Sequence, residues 1–153
     1  MYIKKIGNIR AYIIHIFVIS VILNFVWETA QIPFYYNSQI TFSKILYCFI
    51  ASLGDGIMIL IIFFTGKIIF KNNYWIENLN FKKLSLILMA GLFLAVIVEI
   101  TALRLDLWGY SNLMPKLMFL SIGLSPVLQM LILPISVFQL TKLRINKKRG
   151  HYV

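Results

Sequence analysis

Charged residues are scarce in this sequence, and acidic ones are the scarcest. Asp and Glu together number 5 against 15 Lys and Arg, and charged residues make up 13% of the 153 residues. An ordinary soluble domain carries roughly 25% charged residues. The chain is instead 60% hydrophobic, and its apolar residues gather in runs of about 20, the length at which a helix crosses a bilayer. This composition excludes an ordinary soluble domain and indicates an integral membrane protein.

Cysteine and the common catalytic motifs are also nearly absent. Cys48 is the single cysteine, so no intramolecular disulfide can form and no CxxC pair suggests zinc or redox chemistry. We interpret it as a small buried hydrophobic residue. No nucleophile signature or phosphate-binding loop occurs, which leaves hydrolases and nucleotide-driven enzymes without support. We predict no cofactor, and no metal site, because the polar residues within the apolar runs are carboxyls and amides without an inward histidine or thiolate.

The net charge of +10 would suggest nucleic-acid binding in a soluble protein. Here the basic residues flank the apolar runs, and no basic-aromatic patch typical of nucleic-acid binding is present. Only Lys44, Arg104 and Lys116 lie in the first and third loops; the other twelve lie in the N-terminus, the middle loop and the C-terminal tail. Positive flanks remain in the cytoplasm, so both termini are predicted to be cytoplasmic.

The apolar runs predict four membrane spans, at about residues 11–33, 43–69, 84–103 and 117–140. The first follows a basic start but is too long for a signal peptide and lacks a small-residue cleavage site, so we interpret it as a retained helix. No linker or repeat divides the chain. The predicted fold is therefore an all-α, antiparallel four-helix membrane bundle that forms a single domain, 1–153.

Three carboxyls lie inside predicted spans: Glu28, Asp55 and Glu99. A charge in a span costs about 2.5–3.5 kcal/mol on insertion scales, so such residues usually face a partner or a cavity. Around Glu28, the first span places its polar side chains within an arc of about 100° at the helical 100° per residue. The residues of this face are Asn24, Trp27, Glu28 and Gln31.

The second and third spans each place their carboxyl on a face that includes small residues. Ser52 and Asp55 share one face with Cys48, and Gly54 and Gly56 are expected to let another backbone approach closely. The third-span face is predicted to pack inward. It comprises Gly91, Ala95, Glu99 and Ala102.

The fourth span has polar residues at near-helical spacing but no acid. Ser121, Ser125, Gln129 and Ser136 form this series. Pro126 is expected to free a backbone carbonyl in the preceding turn, which would itself be a polar ligand.

Depth brings these features together in the outer half of the bundle. At 1.5 Å per residue, Glu28 and Glu99 lie about 7–10 Å below the outer interface, and Asp55 and Gln129 about 15–18 Å below it. The sequence therefore predicts a polar pocket that opens outward. Three carboxyls in a low-dielectric pocket cannot all be charged without counterions, so we expect at least one to be protonated and able to act as a general acid.

The candidate catalytic residues are Glu28, Asp55 and Glu99. Two interpretations remain open for them: a ligand-binding, proton-transferring or catalytic role, or a buried network that sets helix register. Trp27 would be an aromatic wall for a cation or a packing residue, and Trp108 and Tyr110 would be site residues or interface anchors. The candidate pocket residues are Asn24, Trp27, Gln31, Ser52, Trp108, Tyr110, Ser125, Pro126 and Gln129.

Five motifs occur in a familiar order: "WETAQIPFY", "LGD", a lone Glu99, "LWGYSNLMP" and "GLSPVLQMLILP". Over residues 24–134 the pattern resembles a group of small, uncharacterised bacterial membrane proteins with four spans. The resemblance implies a bacterial inner-membrane location but no particular activity. It also implies that the family's motif positions are Trp27, Glu28, Gln31, Gly54, Asp55, Glu99, Trp108, Tyr110, Pro115, Ser125, Pro126 and Gln129.

A fainter similarity is to membrane lycopene cyclase domains. "LDLWGY" followed by "GLSPVLQ" resembles their Asp-Trp-aromatic loop and the proline-led motif after it. Those enzymes carry adjacent acids after this proline, where the present chain has Val127, Leu128 and Gln129. The resemblance thus implies the topology and an isoprenoid-shaped pocket rather than the cyclase reaction itself.

Three classes of function remain open, and the sequence does not decide whether the protein is an enzyme. The first is a proton-transfer enzyme, of isomerase or cyclase type, acting on a lipid or isoprenoid through Glu28 and Asp55. The second is a small proton-coupled transporter. The third is a non-catalytic protein that binds a lipid or a partner span. The predicted partners are membrane lipids and an apolar small molecule; the oligomeric state is not predicted.

Overall fold

The computed structural model describes residues 9–36, 38–117 and 121–150, and the side chains of the last helix up to residue 147. Four helices are each long and apolar enough to cross a membrane. The protein is thus a multi-pass membrane protein, and the predicted all-α, antiparallel four-helix bundle is confirmed. The helices are α1 (Ile9–Ala30), α2 (Phe42–Ile69), α3 (Phe81–Arg104) and α4 (Leu124–Gly150).

Side-chain caps define where two of these helices begin. Thr41 Oγ1 accepts a hydrogen bond from Lys44 N at 3.2 Å, which satisfies a free amide in the first turn of α2. Asn80 Oδ1 does the same for Lys83 N at 3.1 Å at the start of α3. Helix α1 ends at Ala30, earlier than predicted, and is followed by a 3₁₀ turn over Ile32–Phe34 that contains a proline.

The fourth helix begins at Leu124 rather than near residue 117, and it continues to Gly150 rather than ending near residue 140. The preceding segment folds back on itself: Leu117 N donates to Ile122 O at 2.9 Å, and Leu124 N donates to Pro115 O at 2.8 Å. Ser121 has a positive φ of 55°, which a continuing right-handed helix does not allow. The described residues of this apolar segment, 115–117 and 121–123, pair locally instead of extending α4.

The helices pack in a ring that is closed unevenly. Helix α1 packs against α2 and α4, and α4 packs against α3, whereas α2 and α3 touch each other least. The core between them is mostly aliphatic, with aromatic side chains at one end, and the outward faces are also apolar, as lipid requires. Fully buried core residues include Ile16, Ile59, Ile62, Ile87 and Val137, and lipid-facing α1 residues include Ile14, Val18, Ile22 and Val26.

A proline and a glycine explain why α3 and α4 pack so closely. Pro134 lies inside α4 and has no N–H, so the carbonyl of Met130, four residues earlier, loses its helical partner. A Cβ added to Gly91 of α3 would overlap this carbonyl oxygen. Gly91 therefore lets the backbone of α3 lie against the unpaired carbonyl.

The loops α1–α2 and α3–α4 meet at one end of the bundle, which we call the paired-loop end. Tyr35 and Tyr110 form an antiparallel bridge there. Tyr36 N donates to Gly109 O, and Ser111 N donates to Phe34 O, each at 2.9 Å. These bonds tie the two loops together and hold the ends of all four helices in register.

The opposite end is filled by aromatic side chains that we call the aromatic plug: Phe63, Phe70, Trp75 and Phe138. Trp75 lies in the α2–α3 connection, is fully buried, and donates from Nε1 to Phe63 O at 3.0 Å. Its ring occupies the space where Gly66 has no side chain; a Cβ there would overlap the indole. Lys83 Nζ donates to Trp75 O at 2.9 Å, which holds the connection in place.

Candidate functional site

Gln129, near the start of α4, is the centre of the polar contacts. Its Nε2 lies 2.9 Å from Asn24 Oδ1, 3.1 Å from Glu28 Oε1 and 2.8 Å from Asp55 Oδ2. An amide nitrogen has two hydrogens, so it can donate to only two of these oxygens at once. One residue of α4 thus joins residues of α1 and α2.

Gln31 supplies a second donor, so the network can satisfy each of these oxygens. Gln31 Nε2 donates to Glu28 Oε1 at 2.7 Å, and Gln31 Oε1 accepts from Ser125 Oγ at 2.9 Å. Because Glu28 accepts a hydrogen bond from Gln31, the two amide hydrogens of Gln129 are available for hydrogen bonds to Asn24 and Asp55. We call this group the amide–carboxyl network; it comprises Asn24, Glu28, Gln31, Asp55, Ser125 and Gln129.

Glu99 belongs to a separate group. Its side chain is buried and accepts a hydrogen bond from the hydroxyl of Tyr110. The indole of Trp108 lies beside the same carboxyl, although its buried Nε1–H makes no hydrogen bond of ordinary geometry with any described residue. The α3–α4 loop therefore supplies the partners of Glu99.

A cavity of about 390 Å³ lies between the network and Glu99, and we call it the acid cavity. All three intramembrane carboxyls line it, together with Gln129 and apolar residues of α2, α3 and α4. Its apolar walls include Ile32, Ala51, Met58, Ala95, Val98 and Met130.

The acid cavity reaches the bundle surface at α2, and we interpret its opening as lateral, between α2 and α3, which share the least contact of the four neighbouring helix pairs. Ile50 and Gly54 of α2 line the cavity and are also exposed on the surface of the bundle. No atom lies within 4 Å of where a Cβ of Gly54 would be. Because α2 and α3 are separated here, the hydrocarbon of a bilayer would border the opening.

The expectation that another backbone approaches closely is wrong for Gly54, and at Gly56 the nearest neighbours are side chains of α1. Gly54 faces open space, and a Cβ on Gly56 would meet side chains of α1, Phe17 at 3.1 Å and Val21 at 3.2 Å. Among the described glycines, Gly91 is the one that lies directly against a backbone atom of a neighbouring helix, although for the face of α3 only inward packing was predicted. That face does pack inward: Gly91, Ala95, Glu99 and Ala102 are all buried.

Most of the predicted site residues line the acid cavity or lie within two hydrogen bonds of a residue that lines it. Glu28, Asp55, Glu99, Trp108, Pro126 and Gln129 line it. Asn24, Gln31, Tyr110 and Ser125 hydrogen-bond directly or through Gln31 to residues that line it.

Four predicted polar positions lie elsewhere or act differently. Ser52 donates to Cys48 O in its own helix at 2.6 Å, and Trp27 packs against the hydrophobic core rather than lining the cavity. Ser121 is exposed and precedes α4. Pro126 lies in the first turn of α4, where no preceding helical carbonyl exists to be freed. Pro134 has the effect that was predicted for Pro126.

Sequence reasoning missed Tyr35, Lys44 and Tyr47, which also line the acid cavity. Lys44 had a usable signal, since Lys44, Cys48, Ala51 and Asp55 follow helical spacing on one face of α2. Tyr35 lies in a loop, where periodicity says nothing about its direction. Burial, and secondarily the nearby Glu99, raise the pKa of the Tyr35 hydroxyl, which is therefore a neutral hydrogen-bond donor.

Comparison with protein-family models, with curated proteins and with solved structures finds no match. The two resemblances noted in the sequence therefore remain predictions. Among the described residues, no group of three or more His, Cys, Asp or Glu side chains is placed to hold a metal ion. The chemistry that these residues offer is proton donation, proton acceptance and hydrogen bonding beside an apolar wall.

Proposed function

We propose that this protein is an intramembrane enzyme that rearranges a lipid or isoprenoid by proton transfer, as in double-bond isomerisation or cyclisation. The observation that supports it best is the acid cavity: carboxyls of α1, α2 and α3 line one space whose other walls are largely apolar. The sideways opening would admit a hydrocarbon chain directly from the bilayer. A structural network alone needs no cavity beside it.

The charge balance of the acid cavity favours a protonated acid. Lys44 is the single basic side chain among the residues that line it, against three carboxyls. Because desolvation and mutual repulsion disfavour uncompensated negative charges, at least one carboxyl holds a proton. Glu28 and Asp55, both within hydrogen-bond reach of Gln129, are the pair between which the proton would be distributed.

For isomerisation, the protonated member of the pair adds its proton to one carbon of a double bond and leaves a carbocation on the other. The deprotonated member then removes a proton from a neighbouring carbon, so the double bond moves and no net oxidation occurs. Such positioned proton transfer contributes about 10²–10⁴-fold to a rate. The rings of Tyr35, Tyr47 and Trp108, which line the cavity, could stabilise the cation; Trp27, the predicted wall, lies outside the cavity.

We place the protein in the inner membrane of a bacterium with both termini in the cytoplasm. The distribution of basic residues supports this orientation, and the resemblance to small bacterial membrane proteins supports the location. In this orientation the paired-loop end faces outward, and the acid cavity lies in the outer half of the membrane.

A proton-coupled transporter is the second candidate, and the opposite end of the bundle argues against it. Phe63, Trp75 and Phe138 are fully buried there, so within the described residues the aromatic plug closes the route beyond the cavity. Alternating access would require this packed cluster to open. Binding of a lipid without chemistry needs only the cavity, and the experiment below separates it from catalysis.

The test is mass spectrometry of membrane lipids from native-host strains: a deletion strain and strains complemented with wild type, Glu28→Gln or Asp106→Asn at matched membrane abundance. Asp106 is the matched control because it is exposed and lines neither the acid cavity nor the adjoining one. We expect deletion to change one lipid or isoprenoid species, and wild type and Asp106→Asn to restore it, while Glu28→Gln does not.

Full restoration by Glu28→Gln would contradict the catalytic role of the pair. An unchanged lipid profile on deletion would contradict lipid chemistry altogether. In that case, pH-dependent flux into liposomes would support a carrier, and a chemically unaltered co-purifying lipid would support a binding protein.

A further inference from the structure

A second cavity adjoins the acid cavity at the paired-loop end. It has a volume of about 790 Å³ and lies between the α1–α2 and α3–α4 loops; we call it the vestibule. Four residues line both spaces: Tyr35, Lys44, Tyr47 and Trp108. The two cavities therefore meet at these four side chains. The vestibule is the more polar of the two, and the acid cavity has the more apolar walls.

The vestibule is more polar than the acid cavity, and the charge on its described lining is positive. Its lining includes Ser38, Gln39, Thr41 and Ser43, and among the described lining residues Lys44 is the single charged side chain. Among the described residues the Lys44 ammonium makes no hydrogen bond or close ion pair, although Glu28 is near enough to attract it. Lys44 also lies in the first turn of α2, where the helix dipole adds to the positive potential.

We infer that the vestibule and the acid cavity together bind an amphiphile whose headgroup carries a phosphate or carboxylate. This rests on the proposed function and names its substrate class. The anionic headgroup binds at Lys44, and the attached hydrocarbon chain runs between α2 and α3 into the acid cavity. A cationic headgroup finds no carboxylate in the vestibule, and a neutral one leaves the lysine without a partner.

The depths of Glu28 and Asp55, measured along the axis of α2, set where on the chain the reaction would occur. Cys48 Sγ lies 3.7 Å from the backbone oxygen of Glu28, and Cys48 is one turn, about 6 Å, beyond Lys44. Asp55 is about 16 Å beyond Lys44 along the helix. The reacting carbons therefore lie about 6–16 Å from the headgroup, inside the hydrocarbon chain and away from the charged group.

Photo-crosslinking of the full chain in dodecyl maltoside micelles tests this inference. The probes are an 18-carbon fatty acid with a diazirine at mid-chain and the alcohol of the same chain. We expect the acid to reach half-saturation at about a tenfold lower concentration than the alcohol, as one charge-assisted hydrogen bond would give. Labels should fall at mid-depth in the acid cavity, on residues such as Ala51 and Val98, because Ala51 lies about 10 Å beyond Lys44 along the helix.

Lys44→Gln should abolish the preference for the acid, and Lys44→Arg should keep it. Arg104→Gln is the matched control, since Arg104 is exposed at the end of α3 and lines neither cavity; it should keep the preference. Binding of the alcohol reports whether each variant is folded. If Lys44→Gln also weakens binding of the alcohol, the Lys44→Arg result decides whether the charge is what the site requires.

Equal binding of acid and alcohol by the wild type would overturn the inference, as would labels on lipid-facing residues such as Ile14 and Val18. Inorganic phosphate at the same concentration should not compete with the fatty-acid probe, because phosphate lacks a hydrocarbon chain. Competition would show that Lys44 binds a free anion and would also overturn the inference. The assay involves no turnover. If the protein prefers the acid but deletion leaves the lipid profile unchanged, only the proposed enzymatic function is refuted. If the lipid profile depends on Glu28 but the protein shows no preference for the acid, only the proposed anionic headgroup is refuted.

Discussion

The two halves of the bundle are built from the same four helices but bury different chemistry. At the paired-loop end, six polar side chains converge beside a cavity of about 390 Å³. At the opposite end, aromatic rings fill the interior, and Trp75 stacks on Phe63 with ring centroids 6.3 Å apart. Without water, helices associate through packing and interhelical hydrogen bonds. One half relies on packing, and the other relies on hydrogen bonds and leaves space for a ligand.

Two glycines of α2 show the same contrast. Gly66 is buried against the indole of Trp75, whereas Gly54 faces open space beside Asp55. The first glycine allows close packing, and the second leaves the mouth of the acid cavity open. Both glycines belong to one helix, and the element that packs against each of them decides its role.

The largest effect on stability is expected from Trp75→Ala, which removes the centre of the aromatic plug. Truncating a fully buried aromatic residue costs about 3–5 kcal/mol of unfolding free energy. Trp108→Ala, at the cavity, should cost less, because Trp108 is only partly buried and already borders empty space. Both losses of unfolding free energy can be measured by monitoring unfolding in mixed micelles with circular dichroism. Equal losses would show that the two halves are packed alike.

Gly91→Ala should have the next largest effect. The new Cβ would overlap the Met130 carbonyl oxygen, which is backbone and cannot rotate away, so overpacking should cost about 1–3 kcal/mol. Gly54→Ala is the control: its Cβ meets nothing, and replacing a helical glycine should stabilise the protein by up to about 1 kcal/mol. A harmless Gly91→Ala would mean that α3 does not lie against α4 as described.

Gln129→Leu should have a smaller effect on unfolding than either packing variant. Hydrogen bonds between membrane helices contribute on average about 0.6 kcal/mol, and at most about 1.7 kcal/mol. The leucine side chain removes the donor shared by Asn24, Glu28 and Asp55. The same unfolding assay measures it, and a loss above that of Trp75→Ala would identify the polar network as the main source of stability.

Gly54→Leu should change stability least and ligand binding most. The side chain projects into open space at the cavity mouth, so the unfolding free energy should stay within about 1 kcal/mol of wild type. The same side chain would block the opening between α2 and α3, and crosslinking of the fatty-acid probe should be lost. Retained crosslinking would show that the chain enters by another route.

The four helices and the convergence of Glu28, Asp55, Glu99 and Gln129 were predictable from the sequence. Long apolar runs have few alternatives in a bilayer, and helical spacing determines which polar residues share a face. The start of α4 was not predictable, because hydropathy does not separate an apolar helix from an apolar loop whose backbone pairs locally. The plug around Trp75 was missed for a related reason: a tryptophan in a connection carries no periodic signal.

The sequence alone determined which segments lie in the lipid bilayer and which helix faces are too polar to contact lipid. That follows from transfer free energies, which depend on the side chain and hardly on its neighbours. Only the tertiary structure decided that Gln129 joins α1 to α2, that Lys44 and Tyr35 stand between two cavities, and that α2 and α3 leave an opening. Those features depend on distances between separate helices, and these are set by particular contacts, such as Gly91 against Met130, that no single segment specifies.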